Sequence, residues 1–313
     1  MTALPDTVIV FGASGFVGRN LVDALAGRVP TLIGVTSSTT DVPGCTQVVA
    51  LDQIDSLPAL PEDTVAIHVA AYRYDAGRQA LAQSDILKNN SDLNTRIFHF
   101  CAERGIRELR MASSMAVYQT DLDVMDDSVP VDLNLPPNPH ESFYAWSKRW
   151  AETMADLYRH RFGVNCVSFR LSNPYGPYDS VSLAKAHVAP AFVMKALNAD
   201  PVFEIRGDPM VERDFTFVGD VVNAFVQSLA FTGRNETFNL CSGRSTTLME
   251  LAQTVMRVAG VEKEIRSGAP GAFGPAKRVS TSERIRNSMG LEFASLEEGM
   301  RTTIDWYRHA YKS

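Results

Sequence analysis

The stretch Thr7-Val8-Ile9-Val10-Phe11-Gly12-Ala13-Ser14-Gly15-Phe16-Val17-Gly18 decides the fold of this 313-residue chain. Residues 7–11 are β-branched or aromatic and predict a buried strand, and the glycine-rich turn after them opens a segment of helical period. Glycine allows the backbone to turn tightly and to approach a pyrophosphate, which the N–H groups of a helix N-terminus bind. The stretch therefore predicts a strand–turn–helix unit that binds a dinucleotide.

Outward from this unit, apolar β-rich runs alternate with segments of helical period through the first half of the chain. This alternation is typical of a parallel sheet with helices on both faces. The predicted class is α/β, a Rossmann-like doubly wound parallel sheet with a smaller α/β substrate-binding lobe. We predict strands near 7–11, 31–35, 47–50, 65–69, 107–112 and 164–170, and helices near 16–27, 84–104 and 143–162.

The pattern changes at Asn173-Pro174-Tyr175-Gly176-Pro177, after which we predict a helix near 188–198 and short segments. A chain of this length is expected to form one large core and a smaller lobe. We expect a dinucleotide-binding domain at 1–172 plus 214–240. The substrate-binding lobe is expected at 173–213 plus 241–313.

Composition excludes several classes of protein. A net charge of -6 at pH 7 argues against a nucleic-acid binder, which needs a basic face. The four cysteines lack the close pairing of a zinc site or a redox dithiol, so we expect reduced thiols and no metal. The N-terminus lacks the features of a secretory signal, and no apolar run reaches the ~20 residues that span a bilayer. We therefore expect a cytoplasmic protein with no membrane partner.

The end of the second predicted strand does not select one cofactor. NAD sites usually carry an acid there for the ribose 2′-hydroxyl, and NADP sites carry an Arg for the 2′-phosphate. Here Val35 is followed by Thr36, Ser37 and Ser38. Because hydroxyls suit either cofactor, the choice between NAD and NADP stays open.

Tyr144-Ala145-Trp146-Ser147-Lys148 places a phenol and an ammonium one helical turn apart, where both can face one pocket. A nearby cation favours the phenolate and lowers a tyrosine pKa from about 10 toward working pH. Upstream, Ser113 and Ser114 end a predicted buried strand, at the sheet edge where ligands bind in open α/β folds. The pattern predicts a site for proton transfer.

Together these residues resemble the extended short-chain dehydrogenase/reductase family, in particular its NAD-dependent epimerase/dehydratase members, which act on nucleotide sugars. Several motifs in the right order carry the resemblance over nearly the whole chain. They are the glycine turn, His68-Val69-Ala70-Ala71, Asn90, Ser113-Ser114 with Val117-Tyr118, Tyr144 with Lys148, the run 170–177, Arg213-Asp214-Phe215 with Val218 and Asp220, and Ser295-Leu296-Glu297-Glu298-Gly299.

The resemblance implies a role for each matched residue. Tyr144 exchanges the proton, Lys148 binds the nicotinamide ribose and lowers the pKa of the phenol, and Ser114 hydrogen-bonds the reacting hydroxyl or carbonyl. Asp52 is placed against the adenine amino group. The implied cofactor-binding set is Gly12, Ser14, Gly15, Phe16, Val17, Gly18, Thr36, Ser37, Asp52, Ala70, Asn90 and Lys148.

The resemblance also implies a substrate-binding set. Asn173 and Arg213 match positions that hold the diphosphate of a sugar nucleotide, an anion that suits a guanidinium. The structural alternative for Arg213 is an ion pair with Glu212 or Asp214. Arg73 is expected to face the nicotinamide or the substrate. His187 lies in a motif similar to that of GDP-fucose synthase, and it acts either on the sugar or as a structural residue at a helix start.

Two reactions fit these residues. Met115 and Ala116 stand where family dehydratases carry Asp-Glu, and Ala116 also replaces the Cys of a two-base epimerase. Both observations disfavour dehydration and two-base epimerisation. Because most of the matched motifs are shared with the epimerases, the resemblance favours a nucleotide-sugar epimerase that transiently oxidises a sugar hydroxyl, at C4. The alternative is an NADPH-dependent nucleotide 4-keto-sugar reductase. A non-catalytic dinucleotide sensor would not need the Tyr/Lys/Ser set, and a non-sugar alcohol dehydrogenase would not need Asn173 and Arg213.

The resemblance further implies a homodimer in which the helices near 84–104 and 143–162 pair with their twofold mates. The sequence offers apolar residues on both helices for this contact, although the same residues could face the sheet. They are Leu87, Leu93, Ile97 and Cys101 on the first, and Trp146, Trp150, Met154 and Leu157 on the second.

Overall fold

The computed structural model describes residues 4–37, 41–72, 82–120, 122, 124–139, 141–267 and 279–311. Its main sheet is parallel throughout, with the strand order β7-β6-β5-β4-β1-β2-β3. This is the order of a doubly wound Rossmann sheet extended by one strand, so the predicted fold class is confirmed. The strands are β1 Thr7–Phe11, β2 Thr31–Thr36, β3 Gln47–Ala50, β4 Val65–His68, β5 Glu108–Ser114, β6 Asn165–Leu171 and β7 Glu236–Leu240.

Helices cover both faces of this sheet because the strands are apolar on both sides. Alternate residues of β1 show it: Val8 and Val10 pack in one buried cluster, and Ile9 and Phe11 in another. The described helices are α1 Phe16–Leu25, α2 Gln83–Glu103, α3 Ser142–Phe162, α4 Val188–Leu197, α5 Val218–Ser228, α6 Leu248–Ala259, α7 Glu283–Met289 and α8 Leu296–Ala310. Among them we find none with an apolar stretch long enough to traverse a bilayer.

A third buried cluster lies among α4, α6 and α8, where Phe192, Leu251 and Ile304 are in the core. Two-stranded pairs surround it: Val202–Ile205 with Glu264–Ser267, Glu212–Arg213 with Thr246–Thr247, and Pro174–Tyr175 with Thr216–Phe217. A further pair joins Val124–Met125 to Val279–Ser280. Apart from Val124–Met125, which follows β5, these strands come after β6 or β7 in the chain.

The predicted site residues at the ends of the strands lie at the carboxyl edge of the sheet. Because all seven strands are parallel, Phe11, Thr36, His68, Ser114 and Leu171 end at the same edge. In open α/β sheets ligands bind outside this edge. The fold therefore brings the predicted cofactor and catalytic residues to one side of the molecule.

Candidate active site

A cleft of about 1100 Å³ opens at the carboxyl edge of the sheet. Its wall contains most of the predicted site residues, from both the sheet edge and the segments beside α4. Those residues are Gly12, Ser14, Gly15, Phe16, Val17, Gly18, Thr36, Ser37, Ala70, Ser114, Tyr144, Lys148, Asn173, His187 and Arg213. The structure thus brings together residues as far apart in the chain as Gly12 and Arg213.

The glycine turn forms a backbone cradle at one end of the cleft. Gly12 has φ +89°, and a Cβ there would lie 2.8 Å from the Ala70 backbone. A Cβ on Gly18 would lie 1.9 Å from the Gly12 carbonyl oxygen. Only glycine lets these three backbone segments meet. Helix α1 begins at Phe16, directly after the turn, so its first N–H groups face the cleft as an anion site requires.

The end of β2 presents hydroxyls to the same cleft. Thr36 is buried and Ser37 is exposed, and both line the wall. Asp52 lies in the helical turn Leu51–Ser56 and lines a separate cavity of about 380 Å³. The two cavities share Leu51, Tyr72 and Leu93, so Asp52 lies next to the cleft and not on its wall.

Asn90 lies behind the wall. Its Oδ1 accepts a hydrogen bond from the Tyr72 backbone N–H at 2.9 Å, and its Nδ2 donates to the carbonyls of Tyr72 and Ile86 at 3.0 and 2.9 Å. The side chain is 2% exposed. Asn90 therefore fixes the segment that follows β4. Arg73, the predicted contact directly after Tyr72, lies outside the described residues.

Tyr144, Lys148 and Ser114 all line the cleft. Tyr144 and Lys148 are one turn apart on α3, and the Lys148 Nζ lies 5.8 Å from the centroid of the Tyr144 ring. The same Nζ donates to the Ala112 carbonyl of β5 at 2.7 Å, which fixes the ammonium against the sheet. Ser114 Oγ accepts from the Ala116 backbone N–H at 3.2 Å. Because the backbone uses an acceptor lone pair of Ser114, its O–H is the group suited to donate to a ligand.

A buried ion pair fixes α3 against the sheet behind these residues. Glu152, one turn after Lys148, accepts from Arg170 Nη2 at 2.8 Å and from Ser113 Oγ at 2.6 Å. Arg170 in turn donates to the Tyr118 hydroxyl at 2.8 Å. Pairing and hydrogen bonding are what make buried charges tolerable. The network joins β6 to β5 and α3, the two elements that carry the predicted catalytic set.

The far side of the cleft is polar and cationic. Asn173 has φ 31°, an uncommon value that Asn tolerates better than most residues, and its Nδ2 donates to the Asp214 carbonyl at 2.9 Å. Arg213 donates from Nη1 to the Glu212 carbonyl at 2.7 Å, while the Asp214 carboxylate accepts from the backbone of Ser242 and Gly243. These hydrogen bonds hold Asn173 and Arg213 in place on the same wall of the cleft.

Sequence reasoning missed several polar residues of this cleft. Lys185 lines it two positions before His187, which occupies the N-cap position of α4. The position of this cation, so close to His187 in the sequence, was a signal from which Lys185 could have been predicted as a site residue. Gln83, Asn138 and Glu141 also line the cleft near the start of α2 and α3, where no motif pointed to them.

Comparisons with known proteins agree with this geometry. Residues 8–241, more than half of the chain, match a family model described as "NAD dependent epimerase/dehydratase family". The chain is similar to dTDP-4-dehydro-6-deoxy-D-allose reductase of Streptomyces bikiniensis, with 27% identity over 97% of this chain and 96% of that protein. It is also similar to UDP-glucose 4-epimerase of Mycolicibacterium smegmatis, with 25% identity over 96% and 98% of the two chains.

A solved structure shows the same fold over its full length. It is the UDP-glucose 4-epimerase of Thermotoga maritima with UDP-glucose, which superposes with a TM-score of 0.84 at 23% sequence identity. The alignment covers 97% of this chain and 99% of that one. The likeness extends to the elements around α4, α6 and α8 as well as to the main sheet.

Proposed function

Because the chain belongs to the NAD dependent epimerase/dehydratase family, we propose that it is a nucleotide-sugar epimerase that transiently oxidises the C4 hydroxyl of the sugar. One observation carries the proposal. Tyr144, Lys148 and Ser114 lie on a single cleft between the glycine cradle and the wall of Asn173 and Arg213. Within this proposal, residues 1–172 with 214–240 hold the dinucleotide, and 173–213 with 241–313 hold the sugar nucleotide.

The cradle fits a dinucleotide. Gly12 and Gly18 leave room where any side chain would collide with backbone, and the α1 N-terminus offers N–H groups and a positive dipole end to the pyrophosphate. When bound, NAD or NADP supplies the hydride chemistry of the reaction. Thr36 and Ser37 lie where the adenosine ribose is expected, and their hydroxyls suit both cofactors.

The chain's own residues move the proton. In the proposed reaction Tyr144 takes the proton of the sugar hydroxyl and returns it, which requires a phenol that ionises near working pH. The Lys148 ammonium, held by the Ala112 carbonyl, favours the phenolate through its charge. Ser114 donates its O–H to the oxygen that becomes the carbonyl. The role of each residue is thus distinct, and each can be removed separately.

Arg213 and Asn173 are proposed to hold the diphosphate, with Lys185 as a further cation on the same cleft. Charge-assisted bonds from guanidinium to phosphate oxygens are strong and directional. Met115 and Ala116, also on the cleft wall, carry no group that removes water or acts as a second base. We therefore assign His187 a contact with the sugar, and we propose neither dehydration nor two-base epimerisation.

A second candidate function is reduction of a nucleotide 4-keto-sugar with NADPH. The similarity to the Streptomyces reductase over nearly the whole chain favours it. The same three catalytic residues serve both reactions, because each needs one proton exchanged at one sugar oxygen. The reactions differ in whether the cofactor stays bound, so NAD that co-purifies with the protein supports the epimerase and an empty site supports the reductase.

Ligand binding tests the substrate class. We expect NAD or NADP, and one of the UDP-, dTDP-, GDP- or CDP-sugars, to raise the melting temperature in a thermal-shift panel. Arg213→Met should weaken the nucleotide-sugar response, since a charged hydrogen bond contributes about 1.5–3 kcal/mol. Arg206→Met is the matched control, because its side chain is 83% exposed outside the cleft. Stabilisation by a hydrophobic alcohol, with no response to any nucleotide, contradicts the proposal.

We also propose a cytoplasmic homodimer that pairs α2 and α3 with their twofold mates. Of the residues expected at this contact, Leu93, Ile97, Cys101 and Met154 pack in the core instead. Trp146, Trp150 and Leu157 are exposed on α3 by 38%, 47% and 56%, and they support the contact.

Light scattering at micromolar concentration tests the homodimer. The native chain is expected to have the mass of a dimer, and Trp150→Glu that of a monomer, because a charge at the centre of an apolar interface is costly to bury. Met210→Glu, at an exposed methionine outside α2 and α3, should remain dimeric. A native monomer refutes the contact.

A further inference from the structure

A buried chain of hydrogen bonds runs behind the catalytic helix, and the proposed reaction does not use it. His68 ends β4, between β1 and β5 in the centre of the sheet, and it is 1% exposed. Its Nε2 lies 2.9 Å from Asn94 Oδ1 on α2. The Asn94 Nδ2 donates at 3.3 Å to the carbonyl of Ser147, the residue directly before Lys148. These hydrogen bonds therefore connect the middle of the sheet to the backbone of α3.

The donor and the acceptor in each of these hydrogen bonds are determined. The Ser147 carbonyl can only accept, so the amide NH₂ of Asn94 must face it and Oδ1 must face His68. Oδ1 also can only accept, which places the imidazole proton on Nε2. His68 Nδ1 is then a buried acceptor with no hydrogen-bond partner among the described residues.

The fully buried imidazole of His68 favours its neutral form. Burial, and after it the charge of Lys148, lower the pKa of His68 to about 3, although the hydrogen bond with Asn94 opposes the shift. A buried imidazolium without a counter-ion would be costly. His68 thus adds no second positive charge near the Lys148 ammonium.

Ser147 also restrains the backbone at Tyr144. It is fully buried, and its Oγ donates to the Tyr144 carbonyl at 2.7 Å. The Asn94 bond therefore fixes the peptide that joins Ser147 to Lys148, and the Ser147 hydroxyl fixes the turn that begins at Tyr144. The side chains of Tyr144 and Lys148 therefore project from backbone that these hydrogen bonds restrain.

We propose that His68 and Asn94 are positioning residues, which hold the Tyr144–Lys148 turn of α3 in place. The inference rests on the proposed proton exchange at Tyr144. Neither residue lines the cleft, so each acts through the helix. The charged side chains nearest on α3 are otherwise engaged: Glu152 pairs with Arg170, and Arg149 donates to the Val117 carbonyl. On α2, Asp92 pairs with Lys88 at the surface.

Asn94→Asp tests the proposal with almost no change of shape. The carboxylate loses the donor to the Ser147 carbonyl and introduces a buried negative charge, which opposes ionisation of the phenol. We expect the pKa of Tyr144 to rise by about one, a roughly tenfold loss of phenolate below that pKa. Ultraviolet titration measures it as the difference between each variant and the same variant carrying Tyr144→Phe. Asn223→Asp, on the exposed side of α5, should leave the titration unchanged.

Asn94→Leu separates positioning from charge. It removes both bonds without adding a charge, so the ammonium and the phenol are held less firmly, and we expect a smaller rise in the pKa of Tyr144. An unchanged titration in either Asn94 variant overturns the proposal, and the Leu variant decides alone if the Asp variant does not fold. The readout needs no substrate, so a wrong substrate class appears in the ligand panel and leaves this result interpretable.

Discussion

Tyr144→Phe is expected to remove most of the turnover of this protein while dinucleotide binding stays almost intact. The change deletes only the hydroxyl that exchanges a proton, and the ring keeps its place in the buried cluster with Ile86 and Ala116. General acid–base catalysis by a positioned side chain contributes typically about 10²–10⁴-fold, so we expect kcat to fall by that factor. Steady-state kinetics and quenching of protein fluorescence by NADPH measure the two quantities separately.

Two comparisons make this result specific. Tyr311→Phe, beyond the end of α8, removes the same atom far from the cleft and should leave kcat unchanged. Lys148→Ala should reduce both turnover and dinucleotide affinity, because its ammonium lies on the cleft wall beside Tyr144. Turnover that survives in Tyr144→Phe would show that another group exchanges the proton.

The sequence predicted the first half of the fold well because two local signals agree there. Strands of continuous apolar residues and helices of period 3.6 alternate, and glycines stand where helices end. Gly163, at φ 68°, ends α3 one residue after Phe162, where the pattern predicted it. β7, with sequence Glu-Thr-Phe-Asn-Leu, was missed because polar residues interrupt it. It is recognisable as a strand only when it pairs with β6.

The site could be predicted to the extent that it follows strand ends. Parallel strands bring their carboxyl ends to one edge, so Gly12, Thr36, Ala70 and Ser114 could be placed together from their order alone. Side-chain direction on helices could not be predicted in this way. Asn90 was expected to touch the cofactor, yet its amide bonds to the backbone of Tyr72.

Long-range polar pairs were also beyond the sequence. Arg170 meets Glu152 and His68 meets Asn94 only after β4, β5, β6, α2 and α3 have packed. No local spacing identifies such partners, because each residue taken alone is equally consistent with a surface position. The boundaries of the two lobes stay a prediction for a related reason: short segments after Pro177 carry too little periodicity to assign.

Gly18→Ala is the second change with a large expected effect, on stability and on cofactor binding together. The added Cβ would stand 1.9 Å from the Gly12 carbonyl oxygen and 2.7 Å from its carbon. Both neighbours are backbone atoms of the turn, so relief requires α1 to move away from β1. We expect a loss of about 3 kcal/mol or more in the free energy of unfolding. Dinucleotide affinity should fall by more than about 100-fold, because the N–H groups no longer converge on the pyrophosphate.

Gly15→Ala, three residues earlier in the same turn, separates this steric argument from a general intolerance of the cradle. Gly15 has φ −79°, which any residue adopts, and its Cβ would lie 3.3 Å from the same Gly12 oxygen. The backbone needs to yield by only a few tenths of an ångström, so we expect the free energy of unfolding to stay within about 1 kcal/mol of the native value. Urea unfolding of both variants measures this difference. Equal losses would mean that the close approach of Gly18 to Gly12 does not hold the first helix against the sheet, and the cradle would then owe its shape to contacts elsewhere.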